Sequence, residues 1–407
     1  MSGAGAGTGE PGRGRTTLFV GTAKGLFRLT GTAAGRRWAI DGPHLRGYEV
    51  IHTCRASDDP ATVYAAARHA VWGAHLYRSR DGGDSWEALA VAPHHEAGRY
   101  PTGLKAIWHL TPSPDGRRLY AGIDPPGLFV SADGAASWSP VAAFNDHPTR
   151  TRWEPSKGIF AVHSIHVDPR DARRLYAAVS AGGVYRSVDG GASWDPANVG
   201  VRAENLPESE PVAGHNVHRL VMHATAPDRL YRQCYNGVYR SDDGAASWRE
   251  ITGNLPSDFG YALVTDPTDP DVLYQVPEDG PEFRCVSGGR LRVFRSTSGG
   301  DDWTSVSDGL PGEHAYVTVL REALDIDAGD TRRLYLGTSG GHLFASTEDA
   351  GRWHLIADFL PRILSVKAHA VDRAGGAAIS LPSAADRPSA GDGGARGVVR
   401  PQGEPGP

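Results

Sequence analysis

An eight-residue motif, Ser-Xaa-Asp-Gly-Xaa-Xaa-Ser-Trp, recurs along the chain and constrains the fold more than any other feature. Successive copies start 50 to 56 residues apart. A period of this length is typical of a four-stranded propeller blade with one variable loop. Two of the copies are degenerate and carry Ser298 and Glu348 in place of the Asp. The six copies are Ser79–Trp86, Ser131–Trp138, Ser187–Trp194, Ser241–Trp248, Ser296–Trp303 and Ser346–Trp353.

A pair of short strands precedes each copy. The first strand of a pair begins with Leu-Tyr or Val-Tyr, and aromatic and β-branched residues favour strands at these positions. A seventh pair, Leu18–Gly21 and Gly25–Arg28, lies before the first octet, with Trp38 where the octet Trp would be. Seven pairs predict seven blades. The six Tyr residues of the other pairs are Tyr64, Tyr120, Tyr176, Tyr231, Tyr274 and Tyr335.

Each blade also needs an innermost strand before its pair, and the first unit has none. An apolar segment near the other end of the chain, Ile363–His369, can supply the missing strand. Such closure removes exposed sheet edges. We therefore predict an all-β, seven-bladed β-propeller over residues 17–371, closed by a C-terminal strand in the N-terminal blade. Residues 1–16 and 372–407 are rich in small and polar residues and are predicted to be a disordered extension and tail.

The octets themselves are predicted to be structural turns. Ser and Asp side chains bond nearby backbone N–H groups, and Gly tolerates positive φ. The Trp is expected to anchor the turn by packing on the blade. The predicted turn and anchor residues are Asp81, Asp133, Asp189, Asp243, Trp86, Trp138, Trp194 and Trp248.

These octets resemble the Asp-box, or BNR, repeat. The chain is similar from Thr17 to Val371 to the Asp-box propeller superfamily, which includes sialidases, xyloglucan-degrading enzymes and sortilin-type receptors. It resembles most the bacterial sialidase-like, YVTN/BNR-like repeat proteins labelled glycosyl hydrolase. The resemblance implies that the octets lie opposite the binding face and supplies no catalytic residue. The Arg-Ile-Pro motif of sialidases is not found here, and sialidases usually have six blades, so sialidase activity is not expected.

Composition restricts the partners and the location. The formal net charge of −5 gives no basic field for nucleic acid. The three cysteines, Cys54, Cys234 and Cys285, fit neither a disulfide framework nor a zinc motif. No apolar run approaches the ~18 residues that span a membrane, and the first residues lack the apolar core of a signal peptide. We expect a soluble, cytoplasmic monomer that binds neither nucleic acid nor membrane.

Four residues are predicted to ring the mouth of the central channel. His163, His218, Tyr261 and Glu322 each lie 13 residues before the Tyr of their blade, which places them at one level of successive innermost strands. His163, His218 and Glu322 could bind one divalent metal ion, the one cofactor considered, or provide acid–base catalysis. Asp124, in an Asp-Pro-Pro turn, is a further catalytic candidate. The alternative is that these are ordinary polar residues of a wet channel.

Three long segments lie on the same predicted face: Phe144–Phe160, Val199–Asn216 and Pro277–Arg290. Long loops in a compact domain are often functional, and these mix Trp, Arg, His and carboxylates, which suits a small polar molecule or carbohydrate; the alternative is a solvated rim. The predicted ligand-binding residues, in these loops and near the strand ends, are Glu49, Trp72, Lys105, Arg152, Trp153, Glu154, His215, Tyr261, Arg284 and Arg321.

Three functions remain open from the sequence. The first is a propeller that binds a small polar ligand, such as a carbohydrate, on the face opposite the octets. The second is an enzyme, either a glycoside hydrolase or a metal-assisted lyase that uses His163, His218 and Glu322. The third is a protein-interaction scaffold.

Overall fold

The structure is a computed structural model, and it describes residues 15–32, 37–153, 159–203, 206, 208–329 and 332–371. The predicted disordered tail, 372–407, lies outside these residues, as do residues 1–14 of the predicted extension. Arg15 and Thr16, the last two residues of that extension, belong to the first strand of the fold instead. No helix among the described residues is long and apolar enough to cross a membrane.

Antiparallel sheets of four strands make up the described part of the chain, and there are seven of them. Blade 1 has the strand order β28-β1-β2-β3. Blades 2 to 7 use consecutive strands and are, in order, β4–β7, β8–β11, β12–β15, β16–β19, β20–β23 and β24–β27. The strands are β1 (Arg15–Thr22), β2 (Gly25–Thr32), β3 (Trp38–His44), β4 (Glu49–Arg55), β5 (Val63–His69), β6 (Gly73–Ser79), β7 (Glu87–Ala88), β8 (Ala106–Pro112), β9 (Leu119–Asp124), β10 (Gly127–Ser131), β11 (Ser139–Pro140), β12 (Val162–Val167), β13 (Leu175–Val179), β14 (Gly183–Ser187), β15 (Asp195–Pro196), β16 (Val217–Met222), β17 (Leu230–Cys234), β18 (Gly237–Ser241), β19 (Arg249–Glu250), β20 (Gly260–Thr265), β21 (Leu273–Pro277), β22 (Phe294–Ser296), β23 (Thr304–Ser305), β24 (Leu324–Ile326), β25 (Leu334–Gly337), β26 (Leu343–Ser346), β27 (Trp353–Ala357) and β28 (Ile363–Val371).

Helical structure in the described residues is limited to short connections. The α-helix α1 (Ala142–Asn145) and a 3-10 segment (Pro148–Arg152) follow β11, and two more 3-10 segments are Ser287–Gly289 and Glu348–Ala350. The predicted seven-bladed, all-β propeller is thus confirmed.

The core lies between the blades, because each sheet is covered on both faces. Strand β13 shows how: Leu175, Ala177 and Val179 join a cluster with blade 3, whereas Tyr176 and Ala178 join a cluster with blade 5. Alternate side chains of a strand point to opposite faces, so every residue of β13 is buried. This two-sided burial explains why most Leu-Tyr strands carry apolar residues on both faces rather than alternating. Strand β17, with buried Arg232 and Gln233, and strand β21, with buried Gln275, depart from this pattern.

The four intact octets form the same hydrogen-bonded turn. In the second octet, the Ser131 hydroxyl donates to Asp133 Oδ1 over 2.7 Å, and the Ser137 backbone N–H donates to the same oxygen over 2.9 Å. The other three octets repeat this pattern around Asp81, Asp189 and Asp243. Hydrogen bonds from Ser137 and Ser131 hold the pKa of Asp133 at about 2.

The octet tryptophans connect neighbouring blades as well as their own turns. The Trp248 indole N–H donates to Ala197 O over 2.9 Å, and Trp303 donates to Ile251 O over 2.9 Å, each to the segment that follows the preceding blade. The Trp86 and Trp194 indoles donate within their own octets, to Gly83 O and Gly191 O. The predicted anchoring role therefore extends across the blade boundary for some copies.

The ring closes in the first blade, as predicted. Strand β28 pairs antiparallel with β1 from Arg15↔Val371 to Thr22↔Ile363. Leu18 and Val20 of β1 pack against blade 7, whereas Phe19 packs against blade 2. The innermost strands contact their neighbours all around the channel. Loss of β28 would therefore expose the edge of β1 and the faces of the two neighbouring blades.

We predict that truncation after Leu360, which removes β28, abolishes cooperative unfolding. Burial of Ile363 and Val366 alone contributes about 3–6 kcal/mol, a large share of the stability of an ordinary domain. Thermal unfolding followed by circular dichroism tests this, with truncation after Val371, which keeps every described strand, as the matched control. Unfolding of the shorter protein at the temperature of the control would contradict the closure.

Candidate functional site

A β-bulge occurs at the same level of at least four innermost strands. The pairing with the second strand of the blade skips one residue at Ile51, Trp108, His163 and His218. In β20 the register shifts in the same region, between Gly260 and Leu263. A bulge redirects a side chain that would otherwise follow the alternation of the strand. The equal spacing of His163 and His218 from their tyrosines therefore marks bulge positions.

The bulged histidines bind backbone across the blade boundary. His163 Nε2 lies 2.9 Å from Val217 O, and His218 Nδ1 lies 2.8 Å from Gly260 O. His166 makes the same kind of bond, with Nε2 2.9 Å from Leu220 O. A carbonyl oxygen only accepts, so each ring N–H donates a hydrogen bond to the backbone of the next blade. These histidines fasten neighbouring innermost strands together.

The predicted metal set of His163, His218 and Glu322 is not assembled. His163 is fully buried and its other ring nitrogen lies 3.1 Å from Ser164 Oγ, so both nitrogens are occupied by the protein. In the described part of the chain, the histidines that approach Glu322 within ligand distance are His52 and His109. Counting 13 residues back from the Tyr of a blade selects the bulged residue. His52 and His109, which approach Glu322, lie one residue after the bulge in their strands.

Glu322 is the centre of a buried polar cluster at the channel. Its Oε1 forms an ion pair with Arg219 Nη1. His109 Nδ1 is 3.4 Å from Oε1, and His52 Nδ1 is 3.6 Å from Oε2. Burial acts to raise the pKa of Glu322, but Arg219 and the two imidazoles outweigh it and hold the pKa well below its usual range. Glu322 is thus ionised at neutral pH.

Arg219, His109 and His52 were not selected as site residues from the sequence. The three residues occupy equivalent positions, because each pairs with the residue two positions after the Tyr of its blade. His52 pairs with Ala66, His109 with Gly122 and Arg219 with Gln233. Counting to that position, rather than to the bulge, would have found them.

A large open cleft lies above this cluster, with a volume of about 1330 Å³. It is lined by residues from the innermost strands and from all three long segments that were predicted to carry a site. Nine of the predicted site residues line it: Glu49, Lys105, Asp124, Arg152, His218, Tyr261, Arg284, Arg321 and Glu322.

Other predicted ligand-binding residues do not line the cleft. Trp153 is buried against Phe144 and Tyr185, and its indole N–H donates to the Tyr185 hydroxyl over 2.6 Å. His215 is buried with Nε2 2.7 Å from Pro211 O. Trp72 is 68% exposed at the β5–β6 turn. Composition cannot show that Trp153 and His215 turn inward or that Trp72 lies outside the cleft lining. Glu154 lies outside the described residues.

Asp124 is a buried carboxyl group that faces the cleft. It is 8% exposed, and its Oδ1 has no hydrogen-bond partner among the described residues. Burial raises the pKa of Asp124, although Lys105, Arg68 and the Trp108 indole act in the opposite direction. A carboxyl group with a raised pKa can donate a proton near neutral pH.

Arg321 is a buried cation at the floor of the cleft. The side chain is 8% exposed, and its guanidinium carbon lies 5.4 Å from the Trp108 ring centroid and 5.7 Å from that of Tyr261. Its Nε donates to His218 O over 2.9 Å. Burial lowers the pKa of Arg321 to about 10, which still leaves it charged at neutral pH. The two rings hold the guanidinium in one orientation. Trp108, which sequence reasoning did not select, is thus part of the site.

Comparison with known proteins shows distant similarity to carbohydrate-acting enzymes. A xyloglucanase from Paenibacillus sp is 27% identical over 273 residues, which cover 66% of this chain and 22% of the relative. An oligoxyloglucan-reducing end-specific xyloglucanase from Emericella nidulans is 28% identical over 219 residues, or 46% and 25%. The chain therefore spans about a quarter of the length of these relatives. No protein-family model matches.

Solved structures share the fold. A GH74 enzyme from Niastella koreensis superposes with a TM-score of 0.59 at 18% identity, over 84% of this chain and 52% of that one. A putative 6-phosphogluconolactonase from Bacteroides uniformis gives a TM-score of 0.55 at 13% identity, over 88% and 100%. At these identities, the structures support the propeller fold and carry no information about the activity of this chain.

The buried histidines predict that stability falls in mild acid. Burial lowers the pKa of His218 to about 3 and that of His166 and His215 to about 4, and it also holds the pKa of His163 well below its usual value. Because these pKa values are depressed, the unfolded chain binds more protons below pH ~6.5. Full stability is therefore expected above pH ~6.5, with a loss of up to ~1.4 kcal/mol per histidine for each pH unit below it.

Melting temperatures measured between pH 7.5 and 4.5 test this expectation. His215→Gln, which removes one titrating ring, should reduce the slope. A melting temperature that stays constant from pH 6.5 to pH 4.5 would show that these rings are protonated as easily in the folded protein as in the unfolded chain.

Proposed function

We propose that the cleft binds a carbohydrate that carries a carboxylate, and that Arg321 recognises the carboxylate. The observation that carries the proposal is the isolation of Arg321. Among the described residues, no carboxylate forms an ion pair with its guanidinium, and the one acceptor it contacts is His218 O, at Nε. Glu322 acts on its charge without forming an ion pair with it. A buried charge without a partner is costly. An anionic ligand that lines up with the two terminal nitrogens would supply the missing partner.

The rest of the cleft suits a sugar. Trp108 and Tyr235 line it and are partly exposed, so their rings can pack against the apolar sides of sugar rings. Charged groups such as Lys105 and Glu282 also line it and can bind hydroxyl groups. The similarity to enzymes named as xyloglucanases supports a carbohydrate ligand, and we infer from the octet turns a relationship to Asp-box propellers.

Replacement of Arg321 tests the proposal. Arg321→Gln should weaken binding of an oligogalacturonide by about 10- to 150-fold, the loss expected for a hydrogen bond to a charged group. A neutral xyloglucan oligosaccharide should lose much less, because it has no carboxylate. Isothermal titration calorimetry measures both.

Arg170→Gln is the matched control, since it removes the same charge from a half-exposed residue paired with Asp168 and Asp228 outside the cleft lining. Equal affinities of the wild type and Arg321→Gln for the acidic ligand would contradict the proposal, as would no binding of either oligosaccharide by the wild type.

A second candidate function is glycoside hydrolysis, which Asp124 favours. Its raised pKa and its place in the cleft lining fit a general acid that protonates the glycosidic oxygen. Among the described residues, four other carboxylates line the same cleft and are available for the second role: Glu49, Glu208, Glu282 and Glu322. In this scheme, Asp124 transfers its proton to the leaving sugar as the bond to the anomeric carbon breaks, and water or the second carboxylate attacks that carbon.

If the protein hydrolyses a glycan, Asp124→Asn should lower the rate by about 10²–10⁴-fold, the usual contribution of a general acid. Binding should be retained because the amide is isosteric. Reducing-end release from the oligosaccharide that binds most tightly gives the rate. Asp171→Asn, a surface carboxylate paired with Arg173 outside the cleft lining, is the control. Hydrolysis by Asp124→Asn at the wild-type rate would exclude Asp124 as the acid.

A further inference from the structure

The polar cluster around Glu322 contains an unusual arrangement of lone pairs. His52 Nε2 lies 3.1 Å from Leu110 O, and a carbonyl oxygen can only accept, so Nε2 carries the proton of the neutral ring. His52 Nδ1 then presents a lone pair, 3.6 Å from Glu322 Oε2. Two acceptors that face each other in a buried site repel unless the imidazole takes up a second proton or a metal ion lies between them.

His109 adds a second donor atom to the same space. Its Nδ1 is buried and has no hydrogen-bond partner, and it lies 3.4 Å from Glu322 Oε1. The His52 and His109 ring centroids are 4.3 Å apart, so both rings approach the carboxylate from neighbouring blades. The ligand atoms of the three residues lie within 4.8 Å of one another.

We propose that His52 Nδ1, His109 Nδ1 and the Glu322 carboxylate bind one divalent transition-metal ion. Two ligands of a tetrahedral ion are about 3.4 Å apart when each is about 2.1 Å from the metal. The distances are similar here: 3.4 Å from His109 Nδ1 to Glu322 Oε1 and 3.6 Å from His52 Nδ1 to Oε2. Two imidazoles and one carboxylate suit zinc and its neighbours and leave a fourth position open. This set differs from the one predicted from the sequence.

The surrounding residues hold the ligands in place. The Leu110 carbonyl fixes the tautomer and orientation of His52, which is the usual function of a second hydrogen bond to a metal-binding imidazole. Arg219 contacts Oε1 and leaves Oε2 for the ion. The other nearby ammonium group, Lys367, is paired with Asp325 over 3.3 Å. Arg219 is thus the one competing cation at the carboxylate among the described residues, and it limits the affinity of the site.

Titration with Co²⁺ tests the site without any carbohydrate. The full chain, stripped with a chelator, should bind one equivalent and give the intense visible absorption of tetrahedral cobalt, and Zn²⁺ should displace it. His109→Ala and His52→Ala should each weaken Co²⁺ binding by at least about 100-fold. Arg219→Gln should bind Co²⁺ more tightly, because it removes the competing charge.

His166→Ala is the matched control. The His166 ring is also an innermost-strand imidazole, with its centroid 6.5 Å from that of His109, but its Nε2 binds Leu220 O. It should bind Co²⁺ as the wild type does. No spectral change in the folded wild type at millimolar Co²⁺, or equal binding by the wild type and both His52→Ala and His109→Ala, would overturn the proposal. Because the titration needs no sugar, its result is independent of carbohydrate binding.

Discussion

The packing of each innermost strand against its two neighbours is the constraint on which the rest of the structure depends. Seven such strands enclose the channel, and the ring is complete only because β28 joins β1 at the point where the chain begins its first blade. Within this ring, histidines donate across blade boundaries to backbone carbonyls. The cleft and the cluster around Glu322 are built on the same strands, so the geometry of the site follows from closure of the ring.

The fold could be predicted because its determinants are local and repeated. Each octet encodes one turn through Ser and Asp side chains, and each Leu-Tyr strand is buried on both faces. The position of the closing strand also followed from counting, since one blade lacked an inner strand. The start of β1 at Arg15 could not be predicted from the sequence. Nothing in the Gly-rich and Arg-rich segment before it indicates where pairing with β28 ends.

The site was only partly predictable, because its geometry depends on bulges that the sequence does not show. Alignment to the tyrosines placed Glu322 and His218 at the cleft, but a single bulged residue decides which neighbouring side chain reaches the channel. For this reason Arg219 and His109 were missed, and His163 proved to be a link between blades. Loop composition alone selected Trp153 and His215, which are buried away from the cleft.

Two unpaired groups give the cleft its chemical character: the Arg321 guanidinium and the Asp124 carboxyl group. A crystal structure of the protein with a bound acidic oligosaccharide would test carboxylate recognition by Arg321 most directly. We expect a ligand carboxylate within hydrogen-bond distance of the Arg321 terminal nitrogens, between Trp108 and Tyr261. A ligand bound on the octet face, or one that leaves Arg321 without an anion, would contradict it.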